Sequence, residues 1–246
     1  MVSVASPAPD SPIYQGQFGP FTITEADRRE VRIYRGGLAI AAVSFALATA
    51  AVLWPQRPAW VLVAVSGCYS LFWVALGVSL ATIHIYLKPL HRALQGFWLV
   101  GGIASLAIAH NDAAPFVQTV YQQPWTLWGV GFTFAALTGI YFKEAFCFNR
   151  LETKVLTPLV PLLLLGHMTG LWPLGWEKGL LGLWAIGFLV FALRKVIQPI
   201  PPDIGDKSVF TYLASQRQAP VGSAEYGCIP QRNDPRPANL AIEPHE

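Results

Sequence analysis

Long stretches almost free of charge are the feature that most constrains this chain. From Leu38 to Phe142 the only charged side chains are Arg57, Lys88, Arg92 and Asp112. Charged residues make up 13% of the whole chain, against ~25% in soluble domains. The three cysteines form no CxxC pair, which argues against a disulfide scaffold. These observations exclude an ordinary soluble enzyme and a disordered protein, and they predict a polytopic helical membrane protein.

Six apolar stretches are long enough to cross a bilayer as helices, because a hydrocarbon core of roughly 30 Å needs about 20 residues. We predict spans at residues 38–54, 60–87, 94–109, 125–142, 155–172 and 179–197. Thr24 followed by Asp27 predicts a capped helix start before the first span. The expected fold is all-α: a bundle of six transmembrane helices within residues 25–198. A flexible N-terminal arm at 1–24 and a polar, disordered tail at 199–246 are expected outside it.

The distribution of basic residues predicts the orientation of this bundle. With six spans, all Lys and Arg residues except Arg57 and Lys178 fall on one side of the membrane. Cytoplasmic loops carry the excess of Lys and Arg in membrane proteins. The sequence therefore predicts that both termini lie in the cytoplasm.

Histidine is the main ionisable residue type within or near the predicted spans, since no Asp, Glu, Lys or Arg falls near the middle of one. His167 lies in the fifth span, between Gly166 and Gly170. These two glycines form a small-xxx-small pair that lets another helix approach closely. His167 is therefore interpreted as a packing residue bonded to a neighbouring helix, or alternatively as an axial ligand to haem or chlorophyll.

Three further histidines lie at span ends. His84 and His91 flank the second loop, where local hydrogen bonds are expected, and two ligands are too few to predict a metal site. His110 opens an HND run at the end of the third span. That run caps the helix, or it forms a polar cluster with His167 at the same side of the membrane.

The stretch TGIYFKEAFCFNRLETK, residues 138–154, combines aromatic and charged residues where the fourth span ends. One interpretation is a docking surface for another membrane protein. The other is an aromatic belt with loop ion pairs such as Glu144 to Arg150, and a catalytic role for Cys147 would need a nearby base. The candidate docking residues are Lys143, Glu144, Phe146, Cys147 and Arg150.

Three runs resemble one family of membrane proteins. FAALTGIYFKEAFCFNRLETKVLTPLVPLLLLGHMTG at 134–170, TITEADRREVRIYRGG at 22–37 and HIYLKPLHRALQ at 84–95 are similar to DUF2301, a family of cyanobacterial and plastid integral membrane proteins. The resemblance implies a multispan protein of the plasma or thylakoid membrane of a phototroph. It implies no activity, so no catalytic residue is carried over.

The leading functional hypothesis is a non-enzymatic protein that interacts with, or helps assemble, a larger membrane complex in a phototroph. A permease or channel for a small solute is one alternative. A haem or chlorophyll carrier that uses His167 is another, and a tetrapyrrole is the only cofactor that these hypotheses name. The expected partners are the lipid bilayer and a membrane protein, and no nucleic acid.

Overall fold

The computed structural model describes residues 12–56, 58–85 and 87–218. Two short strands and nine helices follow one another along these residues, joined by one 3₁₀ turn at Pro124–Thr126. The strands are β1 (Ile13–Gly16) and β2 (Gly19–Thr22), and the helices are α1 (Glu25–Leu53), α2 (Trp60–Thr82), α3 (Lys88–Asn111), α4 (Phe116–Gln122), α5 (Leu127–Phe148), α6 (Leu151–Met168), α7 (Leu174–Ile197), α8 (Pro201–Ile204) and α9 (Ser208–Gln218).

Five helices are long and apolar enough to cross a membrane, namely α1, α2, α3, α5 and α7. This confirms the prediction of a helical membrane protein at the level of its class. The helix α6 packs against α5 and α7 but carries Glu152 and Lys154 in its first turn, and it is not among the five. The helix α2 ends at Thr82, before the end predicted at residue 87, and Pro89 lies in the first turn of α3, where proline is tolerated.

The start of α1 forms as its sequence predicts. The Thr24 hydroxyl accepts a hydrogen bond from the backbone N–H of Asp27 at 3.2 Å, and the Asp27 carboxylate accepts one from the Thr24 N–H at 2.7 Å. This reciprocal pair satisfies two N–H groups that a helix start otherwise leaves without a partner. A single helix then continues from Glu25 through the first span.

Two WxxxG segments join α2 to α3. The indole N–H of Trp73 donates to the carbonyl of Trp98 at 3.1 Å, and that of Trp98 donates to the carbonyl of Trp73 at 2.8 Å. The two rings stack with centroids 4.4 Å apart. Each ring occupies the space where a Cβ would lie on the glycine of the opposite helix, Gly102 for Trp73 and Gly77 for Trp98. Glycine at both positions therefore allows the two helices to approach.

The structure corrects the prediction of a flexible N-terminal arm for residues 13–22. Strands β1 and β2 form an antiparallel hairpin in which Ile13 pairs with Thr22. The turn of this hairpin is held by the C-terminal segment: the N–H of Gln17 donates to Asp206 at 2.6 Å, and that of Phe18 donates to Ser208 at 3.0 Å. These contacts join residues 189 and 190 positions apart in the chain, so the local sequence did not reveal them.

The prediction of a tail without structure from residue 199 is likewise wrong for residues 201–218, where α8 and α9 form. Asp203 in α8 is buried against the bundle, and Tyr212 in α9 stacks on Phe18 with ring centroids 4.1 Å apart. The helices draw their stability from these tertiary contacts rather than from an apolar periodicity. Residues 1–11 and 219–246 lie outside the described ranges.

The first and last long helices bring the two ends of the described chain to the same end of the bundle. Arg35 near the start of α1 contacts Asp203, which follows α7. We call this end, with the start of α1 and the end of α7, the inner end. The opposite end, where α1 ends and α7 begins, is the outer end.

Candidate functional site: an outer cavity and an inner ion-pair cluster

A cavity of about 610 Å³ lies in the outer half of the bundle, between α1, α2, α4, α5, α6 and α7. Its walls are mainly apolar, with leucine and valine side chains from all six of these helices. Exposed residues form its rim at the outer end, among them Tyr121, Gln122, Leu174 and Lys178. The cavity therefore connects the interior of the bundle with its outer surface.

Aromatic side chains from four helices form the floor of this cavity. Phe45 of α1 lies 4.5 Å from Trp184 of α7, centroid to centroid, and Phe134 of α5 meets the same indole edge-on at 5.3 Å. Phe72 of α2 stacks on Phe134 at 5.9 Å. Such tilted and edge-to-face contacts are the favourable geometries of aromatic pairs, so the floor is a packed aromatic surface.

The short helix α4 covers one side of the cavity. The carboxylate of Asp112 accepts hydrogen bonds from the N–H of Ala114 at 2.9 Å and from the hydroxyl of Thr119 at 2.8 Å. These bonds, that from Ala114 above all, hold the pKa of Asp112 below its ordinary value of 3.8. The Phe116 ring then lies 4.8 Å from that of Tyr69, which fixes α4 against α2.

His167 lies on the cavity wall with both ring nitrogens bonded. Its Nδ1 is 2.7 Å from a carboxylate oxygen of Glu177, and its Nε2 is 3.1 Å from the backbone carbonyl of Tyr121. The Tyr121 hydroxyl donates to the other oxygen of Glu177 at 3.2 Å. Each ring nitrogen of His167 therefore lies within hydrogen-bonding distance of an oxygen atom. A haem or chlorophyll ligand at His167 would have to replace one of these bonds.

The structure corrects the interpretation of Gly166 and Gly170 as a seam between helices. Both belong to the end of α6, where the N–H of Leu171 donates to the Gly166 carbonyl at 2.8 Å and that of Gly170 to the His167 carbonyl at 3.1 Å. Gly170 has a φ of 65°, as this type of helix end requires. A Cβ at Gly166 would lie 1.7 Å from the indole nitrogen of Trp172.

The other candidate histidines have separate surroundings. His84 lies 3.4 Å from Glu30, and burial lowers its pKa below the ordinary value of 6.5. His91 lies 2.6 Å from the carbonyl of Leu80, and His110 is exposed in the last turn of α3. Among the described residues, no three His, Cys, Asp or Glu side chains come together as a metal site.

At the inner end, four charged side chains form a buried cluster that the sequence did not suggest. The Lys195 ammonium donates to Glu144 at 2.5 Å and also to Asp203. The Arg35 guanidinium donates to the second oxygen of Asp203 from two of its nitrogens, at 2.8 and 2.6 Å. We call Arg35, Glu144, Lys195 and Asp203 the inner cluster.

Further hydrogen bonds complete this arrangement. Tyr34 donates its hydroxyl proton to Glu144 at 3.3 Å, and Lys143 donates to the same oxygen at 2.9 Å. Lys195 also lies 4.2 Å from the centre of the Phe148 ring, within the range of a cation–π contact. Glu144 and Lys195 are 0% exposed, so the two charges are removed from water and depend on these partners.

These contacts show that most of the predicted docking residues do not lie on an exposed surface. Glu144 is buried and pairs with Lys195 rather than with Arg150, so it cannot form part of an exposed surface. Lys143 is largely buried against Glu144, and the Arg150 guanidinium donates to the side chain of Gln198. Phe146 and Cys147 are exposed.

One face of α7 connects the two ends of the bundle. Positions spaced three and four residues apart on a helix share a face, and such a series runs from the cavity rim to the inner cluster: Glu177, Leu181, Trp184, Phe188, Phe191 and Lys195. Phe188 and Phe191 each meet Tyr141 of α5 edge-on at 5.6 Å. The helical period of α7 thus offered a sequence signal that Lys195 points into the bundle.

Comparison with known proteins gives one match. A family model described as "Uncharacterized integral membrane protein (DUF2301)" matches residues 78–212, which is more than half of the 246 residues. The matched range includes His167, Glu177 and three members of the inner cluster, and Arg35 lies before it. No curated protein and no solved structure matches the chain.

Proposed function

Because the chain belongs to the DUF2301 family of integral membrane proteins, which has no described activity, we propose a function from the geometry: the protein binds one small, mainly apolar molecule in its outer cavity. The observation that carries this proposal is the cavity itself, with its volume of about 610 Å³. Ligand pockets commonly measure roughly 300–1,000 Å³ and combine apolar walls with a few polar groups.

The lining supports an amphipathic ligand with a flat apolar body. The aromatic floor around Trp184 offers ring faces and edges for stacking. The polar rim at Glu177 and Lys178 offers partners for a polar end. Floor and rim are separated along α7 by about 10 Å, at 1.5 Å per residue, which sets the length of the apolar body.

A cavity-filling substitution tests this proposal. Protein is extracted in a mild detergent from its own membrane, and bound small molecules are identified by mass spectrometry. Ala48→Trp places an indole in the cavity, whereas Ala50→Trp places one on the exposed face of the same helix. We expect one ligand per protein in the wild type and in Ala50→Trp, and a loss in Ala48→Trp. A wild-type protein without ligand, or equal retention by both variants, would contradict the proposal.

The six-span arrangement with both termini in the cytoplasm is also a proposal. It is supported by the six long helices and by the common position of both ends of the described chain at the inner end. Lys178 lies at the outer end, and Arg57 falls outside the described residues. With Cys68→Ser and Cys228→Ser in place, the exposed Cys147 is the single target for a membrane-impermeant maleimide, and its labelling tests the orientation: the label should react in inverted vesicles and not in right-side-out vesicles.

A second candidate function is the assembly or interaction factor for a membrane complex of a phototroph. Exposed apolar side chains at the inner end favour it: Phe146 is 83% exposed and stacks on the exposed Phe142, and Leu151 is also exposed. Native electrophoresis and mass spectrometry of gentle extracts test it. We expect a stoichiometric partner that Phe146→Ser releases, and a protein that migrates alone would contradict it.

The same preparation tests the carrier alternative. A tetrapyrrole in the cavity would colour the purified protein, and ligation by His167 predicts that His167→Ala removes the colour. Since both ring nitrogens of His167 already have oxygen partners, the cavity walls rather than this side chain are expected to hold the ligand.

A further inference from the structure

We infer that the protein passes its ligand across the membrane and that the inner cluster is the closed gate of this path. The inference rests on the proposed function, because the outer cavity is the site from which the ligand would enter. Its support comes from the order of features along the bundle and from the chemistry of the seal at the inner end.

The first argument is the linear order of features along α7. Glu177 marks the cavity rim, Trp184 the floor, Phe188 and Phe191 an aromatic plug, and Lys195 the inner cluster. All five residues lie on one face of the helix, which spans about 36 Å at 1.5 Å per residue. The cavity therefore occupies the outer part of this face of α7, and two layers, the aromatic plug and the inner cluster, separate it from the inner end.

The second argument is that the inner layer consists of charges where apolar side chains would seal as well. Replacing buried ion pairs by apolar residues of similar volume is often neutral or stabilising in other proteins, so such pairs are weak evidence for a role in stability alone. An ion pair differs from an apolar seal because water can enter and solvate its members once they separate. A layer of Arg35, Lys195, Glu144 and Asp203 is thus suited to a seal that opens.

The third argument is where the members come from. Arg35, Glu144 and Lys195 belong to the long helices α1, α5 and α7, whereas Asp203 belongs to the short helix α8. The guanidinium of Arg35 also donates to the carbonyls of Gln198 at 2.5 Å and Pro199 at 2.9 Å. The segment after α7 is therefore fastened across the inner end through the same charges, and breaking them releases a cover as well as a seal.

The outer end shows the opposite condition. There one pair, His167 with Glu177, lies beside the cavity without closing it. A path that is open at one end and sealed at the other is what alternating access requires of a single state. The structure accordingly corresponds to the outward-open state of a carrier for a small, mainly apolar molecule.

A native cysteine tests the gate without knowledge of the ligand. Cys68 lines the cavity, so with Cys147→Ser and Cys228→Ser it becomes the single target for a membrane-impermeant maleimide in right-side-out and inverted vesicles. In this background we expect labelling from the outer end and protection from the inner end. Asp203→Asn should raise the inner-side labelling rate by roughly tenfold or more, as expected for a shift in the population of an open state.

Arg194→Gln is the matched control, since Arg194 neighbours Lys195 but pairs with Glu152 outside the inner cluster. It should leave Cys68 protected from the inner side. Where Asp203→Asn does not fold, Glu144→Gln replaces it, because Lys195 then keeps its bond to Asp203. A folded variant of the inner cluster that leaves Cys68 protected from the inner side overturns the gate. Absence of outer-side labelling in the background protein instead overturns the open cavity and, with it, the proposed function.

Discussion

The two ends of the bundle use the same helices in opposite ways. At the inner end, α1, α5 and α7 converge on charged side chains that are all buried and are linked by consecutive ion pairs, Arg35 to Asp203, Asp203 to Lys195 and Lys195 to Glu144. At the outer end, the same three helices diverge around a cavity with apolar walls, beside which His167 and Glu177 are joined by a hydrogen bond. The inner end is therefore packed around buried charges, whereas the outer end keeps a cavity with apolar walls.

The energetic cost of burying a charge explains why the inner cluster depends on each of its four residues. A buried charge loses its hydration energy, and only a partner at hydrogen-bonding distance compensates for that loss. Lys195 offers three protons and uses them on Glu144 and Asp203, while Arg35 binds the remaining oxygen of Asp203. Charges balance two against two in the inner cluster, so removing one leaves another uncompensated in a low-dielectric surrounding.

The largest expected effect follows from removing the central cation. Lys195→Met should lower the free energy of unfolding by about 3–5 kcal/mol, the range for breaking a buried pair from one side. Arg194→Met removes the adjacent cation, whose side chain is 52% exposed, and should cost about 0–1 kcal/mol. Chemical denaturation of both variants in the same detergent measures the difference. Equal losses would show that the inner cluster is no more sensitive than the surface.

At the outer end, the largest loss of stability should come from a substitution that adds side-chain volume rather than from one that removes a charge. Gly166→Ala places a methyl group where the Trp172 indole lies, 1.7 Å from its nitrogen, and overpacking of this kind costs about 1–3 kcal/mol. Gly175→Ala is the control, because nothing lies within 4 Å of its added carbon. Thermal unfolding should separate the two variants. A neutral Gly166→Ala would mean that the Trp172 indole moves aside without a loss of stability.

The sequence predicted the membrane class, the position of most long helices and the capped start of α1, because each depends on local pattern. Apolar length identifies a span, and Thr24 with Asp27 is read from a three-residue spacing. Neither requires knowledge of which helices are neighbours. The hairpin β1–β2 and the helices α8 and α9 escaped prediction because their stabilising bonds join residues near opposite ends of the chain.

The candidate site was predictable only in part. His167 was identified from its place in a span, but its partner Glu177 follows in the next helix and was read as part of a loop. Lys195 was counted as a topology signal, although its spacing from Phe188 and Phe191 places it on the buried face of α7. Asp203 gave no signal at all, since it lies in a proline-rich segment whose position depends on Arg35 and Lys195.

The same substitution at both ends gives the sharpest comparison. Glu144→Gln and Glu177→Gln each remove one negative charge and keep the side-chain shape. Glu144 is fully buried beside Lys195, so its loss should approach about 3 kcal/mol. Glu177 retains hydrogen bonds through the amide and borders the cavity rim, so its loss should be about 1 kcal/mol. Denaturation at one pH ranks them, and the reverse order would refute the contrast drawn between the two ends.

The smallest expected effect concerns surface carboxylates, where the two ends should behave alike. At the inner end, the Ser208 hydroxyl and the Gln17 N–H donate to Asp206 and hold its pKa below the ordinary 3.8. At the outer end, bonds from Ala114 and Thr119 lower the pKa of Asp112 in the same way. A lowered pKa in the folded state means that the ionised carboxylate stabilises its contacts above pH 3.8, and that this stabilisation fades as pH falls through the folded value.

The protection of both local structures against hydrogen exchange should therefore stay constant between neutral pH and about pH 5, and it should fall once the pH drops below the ordinary aspartate pKa of 3.8. Hydrogen-exchange protection factors of the Gln17 and Ala114 amides measure this, with Asp206→Asn and Asp112→Asn as controls whose protection should not change with acid. Loss of protection at the inner end alone would indicate that the stability of the hairpin β1–β2 depends on the inner cluster. Parallel loss of protection at both ends would show that the surface carboxylates of the two ends behave alike. The two ends would then differ only in their buried parts, where Lys195 bonds to Glu144 and Asp203 at the inner end and the cavity walls are mainly apolar at the outer end.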